Sequence, residues 1–400
     1  MLSRRVFLQG LAGGSASMML PGIVRGAQIP AGAADSALML ALPGKKPLIK
    51  RAFRPPNFES PLDTFDQIIT PNDRFFVRWH LASIPRIAAG DWRLRVGGGA
   101  AEKPFELTLD QLRQEFEPAE IVAVCQCSGN RRGLSDPHVP GVEWSVGAMG
   151  NARWKGARLK DVLARAGLRA DALEIAFNGG DSGAIDKTPD FIKSIPVWKA
   201  LDENTLVAYE MNGEPLPHWN GFPARIVVPG WTATYWMKQV ISIEALTKPE
   251  SGFWMSAAYR VPKGKFPLID RFVSQEGESN TPITEMVVNS LITSIHEGQR
   301  IPVGKETLVR GIAWDAGYGI RSVEVSVDGG NTWQEALLEQ DMGRYSFRAW
   351  HLAFVPPRAG KYLVMARATN RQGSTQTFDL IFNPAGYHNN VMERIALEAV

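Results

Sequence analysis

One short stretch of the chain combines a thiol, an amide and two guanidinium groups. Residues 121–124 are apolar and predict a buried strand, and residues 127–132 then read Cys-Ser-Gly-Asn-Arg-Arg. A thiolate at the end of a strand is well placed to be a metal ligand, because strand ends are rigid and reach the crevice where open sheets bind ligands. The neighbouring arginines would attract an anion. The alternative is that Cys127 is a small buried hydrophobic residue, which fits poorly with two arginines beside a Ser-Gly-Asn turn.

Three further segments carry polar groups that could serve the same site. Residues 76–80 end an apolar run with Arg78 and His80 two positions apart, so on an extended segment these two would share one face. A surface arginine and a core histidine remain the alternative. Arg225 begins a predicted buried strand, where an arginine needs an anionic partner or several acceptors. Lys238 follows a segment rich in Trp and Tyr, and the six histidines are too scattered to form a metal motif.

The elements that must position these residues mix helices and strands up to about residue 280. A capping box that begins at Thr108 predicts a short helix, and residues 159–166 predict a second helix that ends at Gly167. Predicted strands lie at residues 92–96, 173–177, 206–210 and 225–228. This pattern is α+β without regular βαβ alternation.

From about residue 285 the sequence changes to regularly spaced short strands. They are predicted at residues 291–295, 308–313, 323–327, 345–350 and 362–368. The Asp-Gly-Gly-Asn sequence at 328–331 predicts a hairpin turn. Such spacing is typical of a β-sandwich, which would be immunoglobulin-like but without a cysteine pair.

The N-terminus predicts export. Residues 3–8 read Ser-Arg-Arg-Val-Phe-Leu, and a Gly- and Ala-rich apolar run follows that is too short for a good membrane span. We therefore expect a twin-arginine signal peptide over residues 1–33, a periplasmic location and no membrane anchor in the mature chain. Removing the three arginines at 4, 5 and 25 takes the formal charge from +3 to zero, so a nucleic-acid partner is not implied. A disulfide between Cys125 and Cys127 would be badly strained.

Together, these motifs resemble the sulfite oxidase family of molybdenum enzymes. The resemblance rests on residues 127–132, on residues 76–80 and on Leu-Pro at 216–217 followed by Gly-Phe-Pro-Ala-Arg at 221–225, and it spans about residues 60–390. Within the family the chain is most similar to exported bacterial sulfite dehydrogenases that lack a haem domain. The resemblance implies an α+β molybdopterin-binding domain over residues 48–279 and an all-β immunoglobulin-like sandwich over residues 280–395, through which the family forms homodimers.

The resemblance also implies a role for each matching residue. Cys127 matches the thiolate that ligates molybdenum, and a soft thiolate suits that metal. The residues that match the substrate pocket are Arg78, Arg132, Trp144 and Tyr259. The residues that match positions holding the pterin and its phosphate are Phe76, Val77, Arg78, Trp79, His80, Asp181, Asn220, Arg225, Trp236, Met237 and Lys238.

Two positions depart from the family pattern. Asn220 stands where animal members have a histidine. Residues 383–391 lack the arginine that the family usually places in the substrate pocket, and we expect His388 or Asn389 to occupy that space. Cys125 is expected to be structural, because the motif uses only Cys127.

The implied activity is the oxidation of sulfite to sulfate at a molybdenum-molybdopterin centre. The chain is expected to hold no haem and to pass electrons to a separate c-type cytochrome. The alternatives are a sulfane dehydrogenase subunit, a sulfoxide reductase, or an exported binding protein without catalysis. The predicted sandwich and the Ser-Gly-Asn-Arg-Arg run count against the reductase, while intact Cys127, Arg78 and Tyr259 count against the binding protein.

Overall fold

The computed structural model describes residues 39–266 and 279–400, so the predicted signal peptide lies outside the described residues. The first range is built mainly from strands. These strands are β1 (Met39–Leu40), β2 (Leu48–Ala52), β3 (Asn57–Glu59), β4 (Val77–Arg78), β5 (Leu94–Gly97), β6 (Phe105–Leu107), β7 (Pro118–Gln126), β8 (Met149–Arg158), β9 (Glu174–Gly179), β10 (Ile192–Pro196), β11 (Leu206–Met211), β12 (Glu214–Pro215), β13 (Arg225–Val227), β14 (Val240–Leu246) and β15 (Arg260–Pro262).

Helices in the first range are short. The α-helices are α1 (Leu109–Gln114), α2 (Leu159–Ala166), α3 (Val197–Ala200) and α4 (Phe253–Ser256), and single 3₁₀ turns occupy Leu62–Asp66, Arg132–Leu134, His218–Asn220 and Ala233–Tyr235. Within the two described ranges, no helix has the length and apolar character that crossing a bilayer requires.

Within residues 39–266 the strands form three sheets. The first has the order β1-β2-β3-β4, the second β10-β9-β14-β5-β6, and the third β12-β11-β8-β7 with β13 beside β11. Most neighbours run antiparallel, whereas β5 and β14 run parallel. One large apolar core joins the second and third sheets to α1 and α2. This is the predicted α+β class of architecture.

Local sequence signals explain where both longer helices begin or end. At the start of α1 the Thr108 hydroxyl accepts a hydrogen bond from the Gln111 N–H, and the Gln111 side chain accepts one from the Thr108 N–H. Gly167 follows α2 with φ +66°, a conformation in which a side chain would be strained. The predicted capping box and helix end are therefore confirmed.

The second range is all β apart from turns. Its strands are β16 (Asn280–Pro282), β17 (Asn289–Ile292), β18 (Gln299–Ile301), β19 (Thr307–Trp314), β20 (Ile320–Ser326), β21 (Gln334–Glu335), β22 (Leu337–Leu338), β23 (Arg348–Phe354), β24 (Gly360–Asn370) and β25 (Arg394–Ala399). Two sheets, ordered β17-β19-β23-β22 and β18-β25-β24-β20-β21, share one apolar core. A two-sheet sandwich is thus observed, while its likeness to immunoglobulin domains and the predicted domain boundaries stay predictions.

The two ranges pack on each other through an apolar cluster. It contains Val124 of β7 and Met149 of β8 together with Leu291 of β17 and Trp314 of β19. The strand that leads to Cys127 therefore lies against the sandwich.

A buried polar network extends the same junction. Arg131 has φ +68°, and its guanidinium donates to Asn289 Oδ1 at 2.7 Å and lies 3.9 Å from the Glu393 carboxylate. The Asn389 side chain donates to the Arg131 carbonyl at 3.1 Å. Of the two adjacent arginines in the thiol motif, Arg131 consequently joins the two parts of the fold and is not available to an anion in a cleft.

Candidate active site

The Cys127 thiol lies directly after β7, in a turn that hydrogen bonds fix on both sides. The Cys127 N–H donates to the Ala148 carbonyl at 2.9 Å, and the Cys127 carbonyl accepts from the Asn130 N–H at 3.0 Å. The Asn130 side chain in turn accepts from the Ala148 N–H. The strand predicted at residues 121–124 is confirmed as part of β7, and it ends where the sequence places the thiol.

Cys127 lines a cavity in the first part of the fold. Aromatic rings from Phe75, Phe76 and Trp219 form much of its wall. Cys125 also lines it, and both thiols are free. Burial raises the pKa of the Cys125 thiol, so that group is neutral near pH 7.

The cavity is strongly cationic. Arg78, Arg225 and Lys238 line it, and no carboxylate does so within residues 39–266 and 279–400. Burial, together with the charge of Arg225, lowers the pKa of Lys238 to about 8. Buried cations without neutralising partners are costly. The lining therefore fits an anionic group.

Three groups in the cavity lining have polar atoms without a hydrogen-bond partner. Arg225 donates from its two terminal nitrogens to the carbonyls of Asn220 and Trp236, at 2.9 and 3.1 Å, but its Nε is buried and unpaired. The hydroxyls of Ser128 and Thr234 are likewise buried and unpaired. Buried polar groups in proteins are normally hydrogen-bonded. Three unpaired polar atoms at one cavity are expected where a polar ligand supplies the missing hydrogen bonds.

Tyr259 forms a compact hydrogen-bonded group with Arg78 and His80 at the cavity. The Tyr259 hydroxyl contacts His80 Nε2 and accepts from Arg78 Nη2 at 3.4 Å, while Arg78 Nη1 donates to the Trp79 carbonyl. Burial and the nearby charges of Arg78, Lys238 and Lys193 lower the pKa of His80 well below its usual value, so the imidazole is neutral. Tyr259 has φ +60°, a rare conformation for a non-glycine residue and one that clusters at functional sites.

The expectation that His388 or Asn389 replaces the missing arginine is wrong. The Tyr387 ring stacks on Tyr259 with centroids 5.7 Å apart and lies 5.2 Å from the Arg132 guanidinium carbon. The His388 ring packs against Phe266 instead, and the Asn389 side chain is used on the Arg131 carbonyl. The contact of the Tyr387 ring with the Tyr259 ring therefore brings residues 383–391 to the site.

Arg132 and Trp144 do not line the cavity, although the charge of Arg132 acts on Tyr259. The Arg132 Nε donates to the Ala385 carbonyl at 2.8 Å and its Nη1 to the Val142 carbonyl at 3.1 Å, so backbone groups fix the guanidinium. The Trp144 indole N–H is buried without a partner.

Asn220 lines the cavity, yet its side chain already bonds the protein. Its Oδ1 accepts from Lys45 Nζ at 2.6 Å, and its Nδ2 donates to the Phe76 carbonyl at 3.1 Å. Asn220, which we predicted to contact the cofactor, therefore also anchors the segment around Lys45. The Lys45 ammonium donates to the carbonyls of Asn72 and Phe75 as well.

The remaining predicted residues lie behind the lining and support it. The Trp79 indole donates to the Trp219 carbonyl at 3.1 Å, and Lys238 Nζ lies 4.6 Å from the Trp79 ring centroid. Asp181 is 5% exposed and its charge acts on Lys238. The other residues of this kind, all buried, are Val77, Trp236 and Met237.

Several residues of the site carry no motif that reveals them. Phe75, Trp219 and Tyr387 are aromatic residues that a sequence pattern assigns to any core, and Thr234 is one of many threonines. Ser128 is adjacent to Cys127, so its position in the turn was a usable signal.

Two family models match the chain. The oxidoreductase molybdopterin binding domain matches residues 80–254, and the Mo-co oxidoreductase dimerisation domain matches residues 280–400.

Curated relatives and a solved structure agree with these matches. The chain is 35% identical to mitochondrial sulfite oxidase of Rattus norvegicus over 87% of its own length and 65% of the rat protein, so it spans slightly less than two thirds of that relative. It is 34% identical to sulfite oxidase of Gallus gallus over 81% of its own length and 71% of the chicken protein. The sulfane dehydrogenase SoxCD from Paracoccus pantotrophus has a TM-score of 0.74 and covers 96% of this chain and 92% of its own. At 23% identity, that likeness concerns the fold alone.

Proposed function

Because this chain belongs to the sulfite oxidase family of molybdenum enzymes, we propose that it is a periplasmic sulfite dehydrogenase. It oxidises sulfite to sulfate and passes the electrons to an external c-type cytochrome. The observation that carries the proposal is the convergence of the Cys127 thiol with three cationic side chains, and no carboxylate among the described residues, on one cavity.

The residues present fit a molybdenum-molybdopterin cofactor. Cys127 supplies a soft ligand for the metal. The Arg225 Nε and the hydroxyls of Ser128 and Thr234 are unpaired donors for the anionic organic part, and Lys238 adds charge. When bound, the cofactor supplies the two-electron redox chemistry, while the protein contributes binding, orientation and electrostatics.

Sulfite binding is assigned to the cationic side of the same cavity. Arg78 offers guanidinium donors to the oxyanion, and Arg132 adds positive charge from beside the cavity. Tyr259 holds its hydroxyl at the cavity through His80 and Arg78, so it is placed to donate a proton or hydrogen bond to the reacting oxyanion. The stacked Tyr387 covers one face of the Tyr259 ring.

The proposed location is argued from the N-terminal sequence, and the proposed electron acceptor from the chemistry of electron transfer. The twin-arginine pattern at residues 3–8 supports a periplasmic location. Two electrons must leave one at a time to a separate redox protein, and such encounters bury little surface. Cell fractionation with the full chain and with an Arg4→Lys, Arg5→Lys variant tests the location.

The function is tested by two measurements on one preparation. Metal analysis should find about one molybdenum per chain, and sulfite should reduce horse-heart cytochrome c and ferricyanide with sulfate as the product. A metal-free protein would overturn the enzymatic proposal. Turnover of a persulfide substrate with none of sulfite would favour a sulfane dehydrogenase instead.

We also predict a homodimer that forms through the sandwich. Two-fold self-association is the commonest assembly of soluble proteins, and the matched dimerisation model covers residues 280–400. Light scattering at assay concentration should give twice the mass of the mature chain. A fully active monomer would contradict the prediction.

A further inference from the structure

Lys193 is a fully buried cation that the proposed mechanism does not use. It lies on β10, is 0% exposed, and donates from Nζ to the Trp254 carbonyl of α4 at 2.7 Å. Its Nζ also lies 4.7 Å from the Tyr235 ring centroid and 5.3 Å from the Tyr259 ring centroid. One carbonyl and two aromatic faces therefore surround the ammonium.

The contacts of Lys193 converge on the Tyr259–His80 hydrogen bond. The His80 ring stacks on Phe191, two positions before Lys193, with centroids 3.6 Å apart, and the Trp254 ring packs against both His80 and Tyr259. A cation over an aromatic face attracts the ring electrostatically, and more strongly when the pair is desolvated. A cation near a phenol also makes its O–H a better donor and disfavours protonation of a nearby imidazole.

On the basis of the proposed function, we propose that Lys193 is a positioning residue for the reaction. Its ammonium holds the ring of Tyr259 against the cavity and keeps the Tyr259 hydroxyl beside a neutral His80. Lys193 acts through Tyr259, because it does not itself line the cavity.

The charge of Lys193 changes in a useful pH range. Burial, assisted by Arg260, lowers its pKa to about 7, while Glu174 on β9 and Glu250 before α4 act in the opposite direction. Burial raises the pKa of Tyr259, so its hydroxyl stays protonated near neutral pH. Arg78 and Lys238 also act on His80, and the pKa of Lys238 is about 8, above that of Lys193. Lysine is charged below its pKa, so its influence on Tyr259 and His80 is present at pH 6 and lost as the pH rises through 7.

The test follows His80 by NMR in the purified enzyme, with ¹³C-labelled histidines and the His80 resonance assigned from a His80→Gln variant. In the wild type the resonance should shift with a midpoint near pH 7. The His80 resonance should stay at its low-pH position in Lys193→Arg and at its high-pH position in Lys193→Met, with no step in either variant.

In steady-state assays at pH 6, Lys193→Met should lower kcat about tenfold with KM for sulfite nearly unchanged, and Lys193→Arg should restore most of kcat.

Lys199→Met provides the matched control. Lys199 is a second buried lysine, 5% exposed, but it pairs with Asp202 at 3.2 Å and lies near Trp231 instead of Tyr259. This variant should keep the wild-type step. A wild-type His80 resonance without a step near pH 7, or a step that persists in Lys193→Arg, would overturn the proposal, and these two outcomes do not require that Lys193→Met folds. The NMR result is independent of sulfite turnover, so it fails separately from the proposed function.

Discussion

Cys127→Ser should abolish sulfite oxidation, by on the order of 10³-fold or more, while the protein still folds. A hydroxyl is a poor ligand for a soft metal centre, and the substitution removes the only thiol that the motif assigns to the metal. The serine side chain is slightly smaller than cysteine and no hydrogen bond of the surrounding turn uses the sulfur, so the fold should persist. Metal content, circular dichroism and turnover measured on one preparation check each part of this expectation.

Cys125→Ser is the matched control, since Cys125 lies two residues earlier in the chain and lines the same cavity. Its sulfur accepts one long contact, 3.8 Å, from Arg225 Nη2, which a hydroxyl can replace. We expect this variant to retain its metal and activity within about tenfold of the wild type. A dead Cys125 variant beside an active Cys127 variant would reverse the ligand assignment.

Arg78→Gln should lower kcat/KM for sulfite by at least about tenfold, mainly through KM. The guanidinium lines the cavity and is fixed by the Trp79 carbonyl and the Tyr259 hydroxyl, so it can present a remaining donor to the oxyanion. Losing one partner of a charge-assisted hydrogen bond costs about 1.5–3 kcal/mol, or roughly 10- to 150-fold. Molybdenum content should stay near normal, because Cys127 and the other cofactor contacts remain.

The competing interpretation is that Arg78 only braces the cofactor. Activity would then fall in proportion to metal, and the KM of the remaining loaded enzyme would match the wild type. Arg74→Gln is the control, because Arg74 is four residues earlier in the chain and pairs with Asp63 at 2.9 Å away from the cavity lining. It should change neither metal content nor KM.

Strands with clear alternation or turn signals could be predicted from the sequence, whereas β8 could not. Residues 149–158 read Met-Gly-Asn-Ala-Arg-Trp-Lys-Gly-Ala-Arg, with two glycines and no period of two. In the fold this strand lies between β7 and β11 and needs both glycines. A Cβ at Gly150 would lie 2.4 Å from the Phe75 ring, and one at Gly156 would lie 2.1 Å from the Val207 carbonyl. Close packing from distant parts of the chain, which no local pattern encodes, makes this segment a strand.

The same limit applies to the site. Cys127, Arg78, Arg225 and Lys238 could be predicted because each belongs to a motif, and they do meet at one cavity. Tyr387 could not, since its place depends on how the segment after β24 returns across the junction. Lys193 was equally hidden, because a lone lysine on a strand is indistinguishable in sequence from a solvated one until its burial is known.

The junction at Arg131 bears on how such chains can recombine. In a hybrid that joins residues 39–266 of this protein to a sandwich without counterparts of Asn289 and Glu393, the Arg131 guanidinium would be buried without its partners. Breaking a buried ion pair in this way costs about 3–5 kcal/mol, a large share of the 5–15 kcal/mol that stabilises a typical protein. A hybrid would therefore survive only if the turn after Cys127 were exchanged as well. The two parts are therefore poor modules for shuffling, because the turn that carries the thiol also carries Arg131, which joins them.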